Sequence, residues 1–294
     1  MHGLDRQHAI QSASSLIPAG AGELVQGQLA SGEDFLITNP VACFSSIRVV
    51  LLPGHGEITV FPHDRVKVKR AAEATLKFFQ INHLSVFVFV ASSIPLGKGM
   101  ASSTADIVAT IEAIIAALEK PVDPGHTSQI AISIEPSDGL MYRGTVLYNH
   151  RRGQLIEALT PAPAIRQLVI DTGGQIDTIE FNKRSKNYTR EELAQQAQAL
   201  CLVKDGLRYG DMQRLGQGAT LSTLINQRVL PKPGLESILQ VAKHCGAYGI
   251  ACAHSGTILS LLFDPENVSG VAKARRSLEQ DFTIQLETCS IQSW

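Results

Sequence analysis

The stretch from residue 85 to residue 118 constrains this chain more than any other. The apolar run Ser85-Val86-Phe87-Val88-Phe89-Val90 reads as a strand. A loop of small residues follows, Pro95-Leu96-Gly97-Lys98-Gly99-Met100-Ala101-Ser102-Ser103-Thr104-Ala105-Asp106. Ile107, Ile111, Ile114, Ile115 and Leu118 then recur at helical spacing. The order is strand, loop, helix. Gly97 and Gly99 permit a sharp turn and a close backbone approach. Ser102 and Ser103 stand where a helix N-cap is expected. The first turn of such a helix offers unpaired N–H groups at the positive end of a dipole, which suits a phosphate. The loop is not a Walker A sequence, because no Gly-x-x-x-x-Gly-Lys-Ser/Thr string occurs and Lys98 precedes the second glycine. Taken alone, it is equally a strand–helix connection whose glycines serve packing.

Composition narrows the class. The 294 residues allow one or two domains, and 44% hydrophobic with 18% charged residues suits a chain with a sizeable core. Twenty-six Lys and Arg against 27 Asp and Glu leave a net charge of −1, so nothing argues for nucleic acid or an anionic membrane. No basic region followed by an apolar core opens the chain, and no apolar run approaches a membrane span. The five cysteines are scattered and odd in number, without Cys-x-x-Cys spacing. Reduced, mostly buried thiols in a cytoplasmic protein are expected, and no zinc site.

Along the chain, residues 1–12 read as loosely held and the backbone turns extended from Ser14. Pro18-Ala19-Gly20-Ala21-Gly22-Glu23-Leu24-Val25-Gln26-Gly27 places three glycines and a proline in ten residues, the mark of turns and close backbone approach. A β-hairpin bend satisfies it, with Glu23 an exposed carboxylate. Phe35–Thr38, Val41–Leu52 and Ile58–Phe61 read as strands. The segment 66–79 has helical spacing, with Lys67, Lys69 and Arg70 on a solvated outer face. After the loop and its helix, Pro121–Pro124 stops one helix and starts another that ends near Ile134. Glu135-Pro136-Ser137-Asp138-Gly139 is a turn, in which Asp138 is a turn aspartate on the plainest reading. Tyr142–Asn149 and Gln154–Leu159 form a strand pair, and Pro161-Ala162-Pro163-Ala164 is the best linker, dividing the chain into residues 1–160 and 161–294. Beyond it come a strand ending at Asp171, which reads as a strand-to-turn cap, and a helix opened by the capping box Thr189-Arg190-Glu191-Glu192. Helices follow near 211–226 and 234–243. The strand–turn–strand Tyr248–Phe263 carries His254-Ser255-Gly256 at its turn, and a last helix and strand cover 268–278 and 282–286.

The small-residue loop resembles the phosphate-binding motif of the GHMP kinases, the family of galactokinase, homoserine kinase and mevalonate kinase. That motif runs Pro, three residues, Gly, Leu or Met, a small residue, Ser-Ser and two small residues, and Pro95, Gly99, Met100, Ala101, Ser102, Ser103, Thr104 and Ala105 fit every position. Pro18–Gly27 is similar to the first motif of the family, and the turn at Ser255-Gly256 to its third. The resemblance implies an α/β (α+β) fold of two parts, an N-terminal domain like ribosomal protein S5 and a ferredoxin-like C-terminal domain, with the site between them. It implies ATP and Mg²⁺. Pro95, Gly97, Lys98, Gly99, Met100, Ala101, Ser102, Ser103, Thr104, Ser255 and Gly256 would face the ATP phosphates. Ser103 and Glu135 would hold Mg²⁺, and Asp138 would accept the acceptor's proton or orient its hydroxyl. Gly22, Glu23, Gln26 and His254 would line the acceptor pocket. Within the family, Gly22-Glu23 with Val25-Gln26-Gly27, and Glu135-Pro136-Ser137-Asp138-Gly139, are most similar to the L-threonine kinase branch, which serves the aminopropanol linker of cobalamin. A homoserine or mevalonate-type alcohol is the alternative acceptor, and a GHMP-like module that binds nucleotide without turnover is the alternative of another class. The implied partner is a small molecule, and a homodimer stays open.

Overall fold

The computed structural model describes residues 10–174, 187–291 and 294. Ten strands form one sheet in the order β10-β7-β9-β8-β1-β2-β4-β3, with β5 and β6 as a hairpin attached to β2. The strands are β1 (Gln11–Gln28), β2 (Asp34–Pro53), β3 (Ile58–Phe61), β4 (Leu84–Ser92), β5 (Val146–Asn149), β6 (Gln154–Ala158), β7 (Arg166–Asp171), β8 (Gly249–Cys252), β9 (Ile258–Phe263) and β10 (Thr283–Cys289). The helices among the described residues are α1 (Val66–Phe78), α2 (Ser102–Ala117), α3 (Pro124–Ile132), α4 (Arg190–Tyr209), α5 (Met212–Asn226), α6 (Leu235–His244) and α7 (Val268–Leu278). Of the segment expected to be loose, residues 1–9 lie outside the described residues, while Gln11 and Ser12 already pair with Leu51 and Val50.

The glycines of Pro18–Gly27 do not make a hairpin bend. They lie inside β1, which continues through register shifts between Pro18 and Ala19, Gly20 and Glu23, and Glu23 and Val25. Bulges of this kind bend a strand without ending it. The bent strand joins the two parts of the sheet: Glu23 faces Thr38 of β2 on one side and Cys252 of β8 on the other. The two expected strands at 35–38 and 41–52 are likewise one strand, which runs on through Asn39 to Pro40, paired with Gly20. The strand expected over 142–149 is shorter, beginning at Val146.

Three apolar clusters hold these layers. Ile47, Val49, Val86 and Val88 of the sheet pack on Ala72 and Leu76 of α1 and on Ile107, Ile111, Ile114 and Ile115 of α2. Phe35, Ile37, Leu24 and Val25 meet Val203 and Leu207 of α4 and Leu215 and Ala219 of α5. Leu168, Ile170, Ile250 and Leu261 meet Ile238 of α6 and Val271 and Ala274 of α7. Helix α2 is buried on almost every side, so its apolar positions are not confined to one stripe. The division expected at residue 160 falls between β6 and β7. There Ala162 is buried and its N–H donates to Thr145 Oγ1 at 3.0 Å, while Pro161 and Ala164 are exposed. Three of the five cysteines are buried and all are free thiols. No helix among the described residues is long and apolar enough to cross a membrane.

Candidate active site

The loop between β4 and α2 adopts positive φ at alternate residues, 71° at Gly97, 84° at Gly99 and 56° at Ala101. That alternation is the backbone pattern of an anion nest. It also moves the helix start. Ala101, not Ser102 or Ser103, is the N-cap of α2, and no side chain caps it. The two serines therefore sit in the first helical turn, and the leading amides of α2 are not satisfied by a side-chain cap. The loop is pinned from both sides: Gly20 N–H donates to Met100 O at 3.1 Å, and Thr257 N–H to Lys98 O at 3.0 Å.

A cleft of about 550 Å³ opens over this loop. Gly97, Gly99, Met100, Ala101, Ser102, Ser103 and Thr104 line one wall, and Ser255 closes it from the β8–β9 turn. Glu135 and Asp138 come from the turn after α3, Glu23 from the bent part of β1, and His254, like Ser255, from the β8–β9 turn. Five expected residues do not line it. Pro95 lies early in the loop, ahead of the residues of the nest, while Gly22 and Gly256 serve close packing. A Cβ on Gly22 would lie 2.7 Å from the Cys252 carbonyl carbon, and one on Gly256 would lie 2.3 Å from Gly99 Cα. Gln26 lies behind His254, its Oε1 2.6 Å from His254 Nδ1. Lys98 points to the other half of the sheet, with Nζ 2.6 Å from Asp171 Oδ2 and 3.1 Å from Gly174 O. Asp171 also accepts from Thr257 Oγ1 at 2.6 Å and from Gly173 N–H at 2.9 Å, so it is the strand-end cap expected and a lysine partner besides. Burial opposes its charge, but the bonds from Lys98, Thr257 and Gly173 outweigh that and hold its carboxyl below the ordinary range.

Several lining residues escape a reading of the sequence, Lys67, Arg65 and His150 among them. Lys67 belongs to α1, where periodicity assigned it to a solvated face, but its Nζ lies 2.6 Å from Glu135 Oε2 inside the cleft. Lys69 and Arg70 are exposed as expected. A helix face is solvated only where nothing packs over it, and here the turn after α3 does. Arg65 reaches Asp106 Oδ2 at 3.1 Å, while Ser45 Oγ donates to Asp106 Oδ1 at 2.6 Å. His150 sits edge-on to His254, with 4.6 Å between ring centroids. Nothing near His150 in the sequence signals a site.

The carboxylates fall into two sets. Asp106 and Glu135 have cationic partners in Arg65 and Lys67, and Glu135 also accepts a short hydrogen bond from the Ser103 hydroxyl. Glu23 and Asp138 form no ion pair among the described residues. Glu23 is 5% exposed, and burial, with the Asp138 carboxylate adding to it, pushes its carboxyl well above the ordinary range. Asp138 is partly accessible through the cleft. Its Oδ2 accepts from Thr104 Oγ1 at 3.4 Å, and Thr104 Oγ1 accepts its N–H at 3.3 Å. Burial is the main cause that pushes the Asp138 carboxyl up to about 6, against the Thr104 bond and with the charge of Glu135. A carboxylate poised near neutral pH, beside a helix N-terminus that suits an anion, is equipped for proton transfer next to a phosphate.

A cleft of this kind, set between an anion nest and a carboxylate of raised pKa, defines a phosphotransferase for small molecules. Family models for the GHMP kinases N terminal domain and the GHMP kinases C terminal match residues 67–141 and 197–279, together more than half of the chain. The chain belongs to the GHMP kinases and is an ATP-dependent kinase. It is 35% identical over 253 residues to an L-threonine kinase of Salmonella typhimurium (strain LT2), covering 84% of this chain and 81% of that protein. An L-threonine kinase of Citrobacter freundii is 32% identical over 251 residues, covering 84% and 85%. The fold matches L. major mevalonate kinase in complex with R-mevalonate with a TM-score of 0.74 at 15% identity, over 100% of this chain and 99% of that one.

Proposed function

We propose that this chain transfers the γ-phosphoryl group of ATP to the side-chain hydroxyl of L-threonine, giving O-phospho-L-threonine and ADP for the aminopropanol linker of cobalamin. The observation that carries the reading is Asp138, held by Thr104 of the phosphate-loop helix, in one cleft with the buried carboxylate of Glu23. The relatives named L-threonine kinase support the acceptor. Phosphoryl transfer asks the protein mainly for positioning and for stabilisation of spread negative charge. The nest at Gly97–Ala101 and the leading amides of α2 receive the phosphates. Asp138 takes up or orients the proton of the attacking hydroxyl as the new O–P bond forms and the bond to ADP breaks. Glu23 faces the acceptor's ammonium.

Mg²⁺ fits the residues present. Ser103 and Glu135 bring a hydroxyl and a carboxylate together at the start of α2. Mg²⁺ characteristically takes one or two carboxylates together with substrate phosphates. Bound there, it neutralises charge on the phosphates. Lys67 pairs with Glu135 and would compete with a cation bound there, and its ammonium would then be within the cleft that receives the phosphates. Lys67→Met is expected to weaken ADP binding about 10-fold, the weight of a charged hydrogen bond, while Mg²⁺ alone binds more tightly. Calorimetry of ADP and of Mg²⁺ separately checks both signs.

The deciding experiment is ADP release with Mg·ATP against L-threonine, L-serine, L-homoserine, mevalonate and no acceptor, with product mass measured in each case. Turnover confined to threonine is expected. Preference for homoserine or mevalonate would move the acceptor while keeping the kinase, and ATP binding without any product would favour a binding module.

A further inference from the structure

The C-terminal half sends a buried polar chain to the cleft, and it begins at a lysine that the proposed reaction does not use. Lys232 is 4% exposed, and the partners of its ammonium are an amide and a carbonyl oxygen rather than a carboxylate. Its Nζ donates to Leu230 O at 3.3 Å and approaches Asn226 Oδ1 at 3.5 Å. Asn226 thus keeps its oxygen toward the lysine and its nitrogen toward Gln26, with Nδ2 3.1 Å from Gln26 Oε1. The Gln26 amide is fixed a second time from its other end. Its Nε2 lies 3.3 Å from Cys252 O and 3.4 Å from Cys252 Sγ, and a backbone carbonyl can only accept. The oxygen of Gln26 must therefore face Asn226 and His254, and His254 Nδ1, 2.6 Å away, must carry the proton. All four side chains are buried, so a broken link is not made good by solvent.

From this geometry we infer that Lys232, Asn226 and Gln26 are positioning residues that hold His254 as the Nδ1–H tautomer, so that Nε2, on the opposite edge of a ring lining the cleft, accepts a hydrogen bond from the amino group of the acceptor. The hydrogen bond at one imidazole nitrogen sets what the other can do. The edge-on contact with His150 at 4.6 Å limits rotation of the ring. Acceptor selection then divides between Glu23, whose raised carboxyl the ammonium would draw to its charged form, and His254, which meets the ammonium with direction. The recognition half of this inference rests on the amino-acid acceptor proposed above, and the tautomer half does not.

Long-range ¹H–¹⁵N spectra of the ligand-free full chain at pH 8 read the tautomer without any substrate. His254 is expected as Nδ1–H with an unprotonated Nε2, and Nε2–H would overturn the relay. Gln26→Met removes the acceptor and is expected to release the ring to the Nε2–H form, raising KM for the amino-acid acceptor about 10-fold, the size of one lost hydrogen bond to a charged group, with KM for ATP unchanged. Gln26→Glu, similar in shape, keeps Nδ1–H but draws a proton onto Nε2, and is expected to raise the same KM while the ¹⁵N shift moves to that of imidazolium. An unchanged acceptor KM in both variants, with the tautomer as expected, would overturn the recognition role. If no amino acid is phosphorylated by the wild type, the acceptor reading and the recognition role fall together, and the spectra still decide the relay.

Discussion

Asp138→Asn is expected to lower kcat about 10²–10⁴-fold, the usual weight of a general base, with little change in KM for ATP. The wild-type rate should rise with pH through about 6, where the Asp138 carboxyl gives up its proton, and the variant should lose that limb. Stability should move the opposite way. The folded-state pKa of about 6 lies above the ordinary 3.8, so the folded chain binds this proton more tightly than the unfolded chain does. The stabilisation that follows is complete below pH 3.8 and is lost as the pH rises through 6. At pH 8 the wild type holds a buried charge that asparagine removes, and a shift of about two units corresponds to up to about 3 kcal/mol. Denaturant melts at pH 8 and pH 4 should therefore show Asp138→Asn more stable at pH 8 and the gap closing toward pH 4. A variant with near-full turnover would dismiss the base role, and one less stable at both pH values would dismiss the electrostatic account.

Gly99→Ala should be as damaging, for a steric reason. The residue has φ of 84°, and an added Cβ would lie 2.6 Å from both Ala253 Cβ and Gly256 Cα. Gly256 is itself held against Lys98 O and Gly99, so neither side of the contact can give way without moving the nest or the β8–β9 turn. A strained backbone costs about 1–3 kcal/mol, and overpacking adds a comparable amount. The expected result is at least about 100-fold weaker ADP binding, since about 2.8 kcal/mol corresponds to that factor, with a clear drop in melting temperature. Gly97→Ala is the control. Its φ of 71° is also positive, but nothing lies within 4 Å of the added Cβ. It should lose only about 1–2 kcal/mol of backbone preference and keep most of its nucleotide affinity. Equal effects at the two positions would show that conformational freedom alone, and not the contact between the two turns, explains Gly99.

The local devices of this protein were legible in the residues themselves. The strand before the loop, the helix after it and the capping box at Thr189 each have a cause within a few positions, and each is present in the structure. The N-cap was misplaced by one residue for an equally local reason. Serine is the commoner cap, but Ala101 in the left-handed conformation starts α2 and leaves both serine hydroxyls for the cleft. The bend in β1 was marked by its glycines, yet nothing local separates a hairpin from a bulged strand. Only the partners Thr38 and Cys252 on either side of Glu23 make that choice.

By itself, the sequence determined the strand–loop–helix unit, the order of the three glycine-bearing segments, and the serines and acids that meet in the cleft, because backbone preference and motif spacing act over short distances. The tertiary structure alone decided which side chains face that cleft. It turned Lys98 away to Asp171, drew Lys67 in to Glu135, brought His150 against His254, and set Gln26 behind His254 across 228 residues of chain. Those assignments depend on which buried charge or amide has a partner within hydrogen-bond reach, and such partners become neighbours only when the layers pack.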